Sequence, residues 1–302
     1  VFSFFREEVC GLEAYGKLPL AKDYLRVGCA EGAPALWRKW LDAAYSGGAG
    51  GVFPALGGPL CLATGSVWGE PLVGLLWPSS DAGGLRKFPL TFLVERRAKP
   101  ARVDAAAGFP LARAVWRELA ALKRTSETRP DGAAFLGAIR GRELDLNTLA
   151  PAQGERFDFG SFEAALAPLD GGLDALLRRL AELRRSGPRA LLRLPLATNL
   201  DFVEQAHGWL SLCTDLGLLH GADAPAAYFS AEAPADGAPA FLVLAARPFQ
   251  PGDVAWLGPV GPQRLAPEDL AQPVRLEAPL VRESSLPLAT TLAAHWQSKL
   301  GR

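Results

Sequence analysis

The stretch from Trp77 to Val94, WPSSDAGGLRKFPLTFLV, restricts the possible folds of this chain more than any other. Two apolar runs of strand length are joined there by a loop holding Pro78, Ser79, Asp81, Gly83, Gly84, Arg86 and Lys87. Pro78 has no N–H for a ladder and so ends the incoming strand, the glycines permit positive φ, and Asp81 can bond its own backbone in a turn. Pro89, near the start of the outgoing run, points to a strand end or a sheet edge, because a central proline would forfeit a ladder hydrogen bond. Leu85 to Leu93 carries apolar residues almost without alternation, the pattern of a strand covered on both faces. A covered strand needs helices above and below it.

Helical periodicity supplies them. Leu36, Trp37, Trp40, Leu41, Ala44 and Tyr45 recur at helical spacing behind Pro34, which suits a first turn. The two tryptophans would serve a core or, less commonly, stack a ligand. Further helices are expected over 110–123, with Leu111, Val115, Leu119 and Leu122 along one face, from Asp131 to Arg140, and around Leu173, Leu176, Leu177, Leu180 and Leu183. The arginines on the outer face of that last helix, Arg178, Arg179, Arg184 and Arg185, are interrupted by Glu182 and read as a solvated face rather than a nucleic-acid patch. Asn199 is placed to cap a helix running through Trp209 to Gly217. Strands are expected at 52–56, 60–64, 72–77, 88–95, 190–194, 226–231 and 240–246. Residues 11–29 read as a glycine-punctuated loop and turn, with Asp23 and Arg26 pairing locally or capping a helix. Residues 141–160 read as a connection followed by a turn that Ser161 caps with Glu163. The main domain then spans 1–265, with a largely helical middle over 101–220, and 266–302 forms a Pro-rich tail ending in a helix over 286–300.

Charge and cysteine usage narrow the functional classes. Lysine and arginine number 32 against 32 acidic residues, so the chain exerts no global attraction on nucleic acid or anionic lipid. No apolar run approaches the roughly 20 residues of a membrane span. Charges follow the first five residues, too early for a signal-peptide core, which gives an expectation of a cytoplasmic protein. Cys10, Cys29, Cys61 and Cys213 are scattered and only three histidines accompany them, a pattern of buried reduced thiols with neither metal nor cofactor expected. Gly16-Lys17 does not make a phosphate loop, since the preceding glycine spacing is missing and Leu18 stands where a hydroxyl is needed. Ser79 and Asp81 lack a nucleophile elbow, and His207, His220 and His295 stand in no catalytic motif.

Two blocks carry a family resemblance. Gly16-Lys17-Leu18-Pro19 followed by Asp23-Tyr24-Leu25-Arg26 resembles the G-K-L-P-x-x-x-D-[FY]-x-R opening of the TagF (ImpM) proteins associated with bacterial type VI secretion. Trp68-Gly69, then Pro78-Ser79-Ser80-Asp81, Gly84 and Phe88-Pro89-Leu90-Thr91 resembles that family's second block, W-x-G through P-S-x-D to F-P-L-T, with one residue more between Asp81 and Phe88 than its usual pattern. Residues 227–230 and 241–248 are similar to its closing strands. The resemblance implies an α/β fold: a mixed, largely antiparallel central sheet with helices packed on both faces, a three-layer sandwich. It also implies a cytoplasmic accessory protein without catalytic residues, which represses secretion-system assembly after translation by binding a forkhead-associated scaffold protein. The candidate interaction surface, the face bearing the two motif loops, comprises Gly16, Lys17, Pro19, Asp23, Arg26, Pro78, Ser79, Asp81, Arg86 and Pro89. A structural adaptor of the secretion machine, and an enzyme or small-ligand sensor, are the competing classes.

Overall fold

The computed structural model describes residues 9–46, 56–95, 109–146, 149, 159–167, 172–219, 225–232, 240–258 and 292, 294, 296 and 297. Nine strands form one sheet: β1 (Val9–Gly16), β2 (Leu25–Val27), β3 (Leu60–Ala63), β4 (Leu72–Trp77), β5 (Leu90–Glu95), β6 (Glu143–Asp145), β7 (Leu191–Leu196), β8 (Ala226–Ser230) and β9 (Ala240–Ala245). Their spatial order is β2-β1-β5-β4-β3-β8-β9-β7, with β6 pairing β1 beyond that path. All pairings between these strands are antiparallel. A parallel bridge joins Arg189 to Leu219 outside them. The expected α/β sandwich is therefore present.

Alternation along the central strands sorts side chains between two cores. On β4, Val73, Leu75 and Trp77 enter a leucine-rich core with α2 (Phe109–Glu127), α3 (Gly132–Ile139), α4 (Phe159–Leu166), α5 (Gly172–Arg185) and α6 (Phe202–Asp215). Leu72 and Leu76 enter a second core against α1 (Gly32–Ser46). That second core is aromatic: Trp37 lies 4.8 Å from Trp40 and 5.5 Å from Trp68 between ring centroids, and Tyr228 stacks on Trp37 at 5.9 Å. The tryptophan pair of α1 is thus core, but Leu36 is 45% exposed and lies off the face that the periodicity assigned to it.

The structure revises several expectations. The stretch read as loop and turn over 11–29 contains β1 and β2, and β1 sits inside the sheet, not at its margin. Cys10, Leu12 and Ala14 alternate into the leucine-rich core while Gly11 and Glu13 interleave, so a period of two was present but masked by small and charged residues. Asp201, not Asn199, caps α6, because its carboxylate accepts the Glu204 N–H at 2.9 Å. The connection read over 141–160 holds β6 and the start of α4, which places Ser161 inside a helix instead of at its cap. The strand expected at 52–56, apart from Leu56, and the tail from 266, apart from four positions near its end, lie outside the described residues. Leu292 and Trp296 are buried against the leucine-rich core. All four cysteines are free and buried, as expected. Among the described residues, no helix is long and apolar enough to cross a membrane.

Candidate functional site

The two sequence blocks meet at one end of the sheet. Gly16 closes β1 opposite Leu90 of β5, and Leu90 in turn faces Trp77 at the end of β4. Gly16 has φ of +138°, and a Cβ there would stand 2.0 Å from the Pro89 carbonyl oxygen, so the crossing of the first block over the second demands glycine. Beyond Trp77 the loop continues the β4–β5 ladder as a small hairpin. Phe88 N–H donates to the Ser79 carbonyl (3.1 Å), Asp81 N–H to the Arg86 carbonyl (3.2 Å) and Gly84 N–H to the Asp81 carbonyl (2.9 Å). Pro89 precedes a central strand, which it enters at its end; it marks no sheet edge.

Two hydrogen bonds tie the blocks together. Ser79 Oγ donates to the Lys17 carbonyl at 2.8 Å, and the Ala82 N–H donates to the Ala21 carbonyl at 3.0 Å. Lys17 is fully buried; its Nζ donates to the Lys22 carbonyl at 3.0 Å and lies 4.2 Å from the centroid of the Tyr24 ring. That environment offers a cation one carbonyl and one π face in place of water, and it leaves no opening for a phosphate. Asp81 is also buried. Its Oδ1 accepts the Leu85 and Arg86 N–H groups at 3.1 and 3.3 Å, and its Oδ2 lies 3.8 Å from Arg86 Nε. Burial tends to raise the pKa of this carboxyl, but the two backbone donors and the charges of Lys17 and Arg86 outweigh it and hold Asp81 below the usual carboxylate range. Asp81 is therefore fixed as an anion that organises its loop.

Aromatic rings fill the space beneath. Tyr24 stacks on Tyr15 at 5.7 Å and meets the edge of Phe88 at 4.9 Å, and the Tyr15 hydroxyl donates to Asp42 of α1. Burial and the Asp42 carboxylate together push the Tyr15 phenol up. What remains outside is a mixed surface: Tyr24 is 47% exposed, Leu85 89%, and the Arg86 side chain 72%. Pro19, Asp23, Arg26 and Pro78 are exposed around it. Asp23 and Arg26 do not pair; Arg26 Nε donates to the Gly28 carbonyl at 3.3 Å.

Of the ten positions proposed from sequence, Gly16, Lys17, Ser79, Asp81 and Pro89 thus build the corner, while Pro19, Asp23, Arg26, Pro78 and Arg86 face solvent. Tyr24 and Leu85 were absent from that set although they supply the exposed apolar area. The aromatic position of the first motif was a signal for Tyr24; Leu85 followed two glycines and read as part of a buried strand. Among the described residues no group of three or more His, Cys, Asp or Glu side chains is placed to hold a metal. His207 packs on Phe109 with centroids 6.1 Å apart, and His220 and His295 lie outside the described residues.

No protein-family model matches this chain, and no curated protein matches its sequence. Among solved structures, the chain is similar to the crystal structure of PA0076 from Pseudomonas aeruginosa, at 17% sequence identity and a TM-score of 0.42, over 89% of this chain and 100% of that one.

Proposed function

We propose that this protein is a non-enzymatic, cytoplasmic accessory protein of a bacterial type VI secretion system, and that it represses assembly after translation by binding a forkhead-associated scaffold protein. The corner where Gly16–Arg26 meets Pro78–Pro89 is the docking surface. The observation that supports this reading is the convergence of the two resemblance blocks, separated in sequence, into one internally bonded corner that displays Tyr24, Leu85 and Arg86. Its buried charged groups, Lys17 and Asp81, are spent on backbone, a ring and Arg86, which suits a recognition surface better than acid–base chemistry. A pre-formed corner loses little conformational entropy on binding.

Co-purification with the scaffold tests the surface. Leu85→Ser combined with Arg86→Ala alters two exposed side chains and is expected to abolish capture while lowering the thermal midpoint only slightly, because the Arg86–Asp81 pair it removes is 3.8 Å apart with Arg86 largely solvated. In cells, deletion of the gene is expected to raise secretion activity and overproduction to silence it. Undiminished capture by the folded double variant would remove the corner from the interface, and unaltered secretion in both backgrounds would remove the regulatory role.

A further inference from the structure

On the leucine-rich face, α2 and the start of α6 stand apart over the ends of β3, β4 and β8 and enclose a cleft of about 410 Å³. That volume lies within the range of small-molecule sites, about 300–1,000 Å³. Its floor is apolar, made by Leu75, Trp77 and Phe229, with Trp116 beside them. The Trp116 indole N–H is already taken by the Leu62 carbonyl at 3.1 Å, so that ring offers the cleft only its hydrocarbon surface.

The charges around the cleft divide into a spent pair and an open pair. Arg113 of α2 grips Asp201 with two hydrogen bonds of 2.6 Å, and the two side chains are only 10% and 15% exposed. Each neutralises the other, and neither is available to a ligand. Arg117, one helical turn further along α2, also lines the cleft, as does Glu232 just beyond β8. Both are exposed, and neither makes an ion pair or hydrogen bond among the described residues. Burial raises the pKa of the Cys61 thiol on the cleft wall; the Arg113 charge opposes the rise and the Glu232 charge adds to it.

We infer that this cleft binds a small zwitterion with an apolar body, its carboxylate on Arg117, its ammonium on Glu232 and its side chain on the Trp77, Trp116 and Phe229 floor. A simple anion would meet the open carboxylate of Glu232, and a simple cation would meet the open guanidinium of Arg117. A ligand carrying both charges satisfies both open groups, and each charge-assisted contact is stronger than a neutral hydrogen bond. A free apolar amino acid and a short apolar peptide share this chemistry. The site is separate from the docking corner and does not depend on it.

Isothermal titration of the full chain with L-phenylalanine, with the dipeptide Phe-Leu, and with the dipeptide acetylated and amidated at its ends tests the assignment. At least one of the two zwitterions is expected to bind, and which one identifies the source. The capped peptide is expected not to bind. Arg117→Ala and Glu232→Gln, both at exposed positions, are each expected to weaken binding by about tenfold or more with an unchanged thermal midpoint, the loss of one charge-assisted contact. Absence of binding by both zwitterions at millimolar concentration, equal binding of the capped peptide, or affinity insensitive to both substitutions would overturn it.

Discussion

The proposed docking corner and the α2–α6 cleft lie at the same end of one sheet, yet they treat charge in opposite ways. In the corner Lys17 is satisfied by a carbonyl and a ring, and Asp81 by two backbone N–H groups and a guanidinium, so the polar groups lock a shape and the exposed area is supplied by Tyr24 and Leu85. In the cleft one ion pair, Arg113–Asp201, is consumed in holding α2 to α6, while Arg117 and Glu232 are left open around an apolar floor. The first arrangement suits a fixed surface read by a macromolecule, the second a pocket filled by a small charged one.

The largest disruption is expected where a buried charge is orphaned. Asp201→Ala leaves Arg113 without its partner and α6 without its cap, and a loss of about 3–5 kcal/mol in chemical denaturation is expected. The same group sets a pH dependence. Burial tends to raise the Asp201 pKa, but the Arg113 and backbone hydrogen bonds outweigh it and bring the folded-state value below that of the unfolded chain. Its contribution is therefore fully present above the unfolded value of about 3.9 and is lost as pH falls from there through the folded value. Wild type is expected to lose stability steeply in that acid window, and Asp201→Asn to show a shallower slope; equal slopes would show that the pair is not what titrates.

Next in size is Gly16→Ala, which breaks the corner at its crossing. The added methyl meets the Pro89 carbonyl with a backbone φ unsuited to alanine, and about 3 kcal/mol is expected, seen as a lower thermal midpoint together with loss of scaffold capture. Ser79→Ala removes one hydrogen bond between the blocks and is expected to cost about 1 kcal/mol, with weakened capture but an unchanged cleft titration. Smallest is Leu85→Ser, within about 0.5 kcal/mol of wild type in stability, because the side chain is almost wholly solvated. Its effect is expected in scaffold capture alone, and a parallel loss of zwitterion binding would erase the separation between the two regions.

The sequence made the middle of the sheet plain and its beginning obscure, for physical reasons. β4 and β5 are buried on both faces and read as unbroken apolar runs between prolines and glycines, and β4 emerges over the residues expected, Leu72–Trp77. β1 is just as central, but Glu13 and Gly11 dilute its alternation, and a strand paired on one side by a three-residue neighbour has little local signal. The start of α6 moved because Asn199 and Asp201 are both good caps, and the bidentate contact with Arg113 across 88 residues favours Asp201. In the corner, the turn chemistry of Pro78, Asp81 and the glycines was legible because it is local. The burial of Lys17 and the exposure of Leu85 were not, since both depend on how two distant blocks lie against each other. The open charges of the cleft were invisible for the same reason.

The place of β3 in the sheet has a consequence for how the chain is made. Its Cys61 faces Leu75 on one side and Phe229 on the other, so one partner arrives about 14 residues later and the other only on the order of 170 residues later, an arrangement that slows folding. During synthesis the half-built sheet offers a bare apolar margin, the kind of surface that recruits neighbouring nascent chains. A ribosome that stalled before residue 226 would release a sticky product, and brief shelter by a chaperone is the natural remedy.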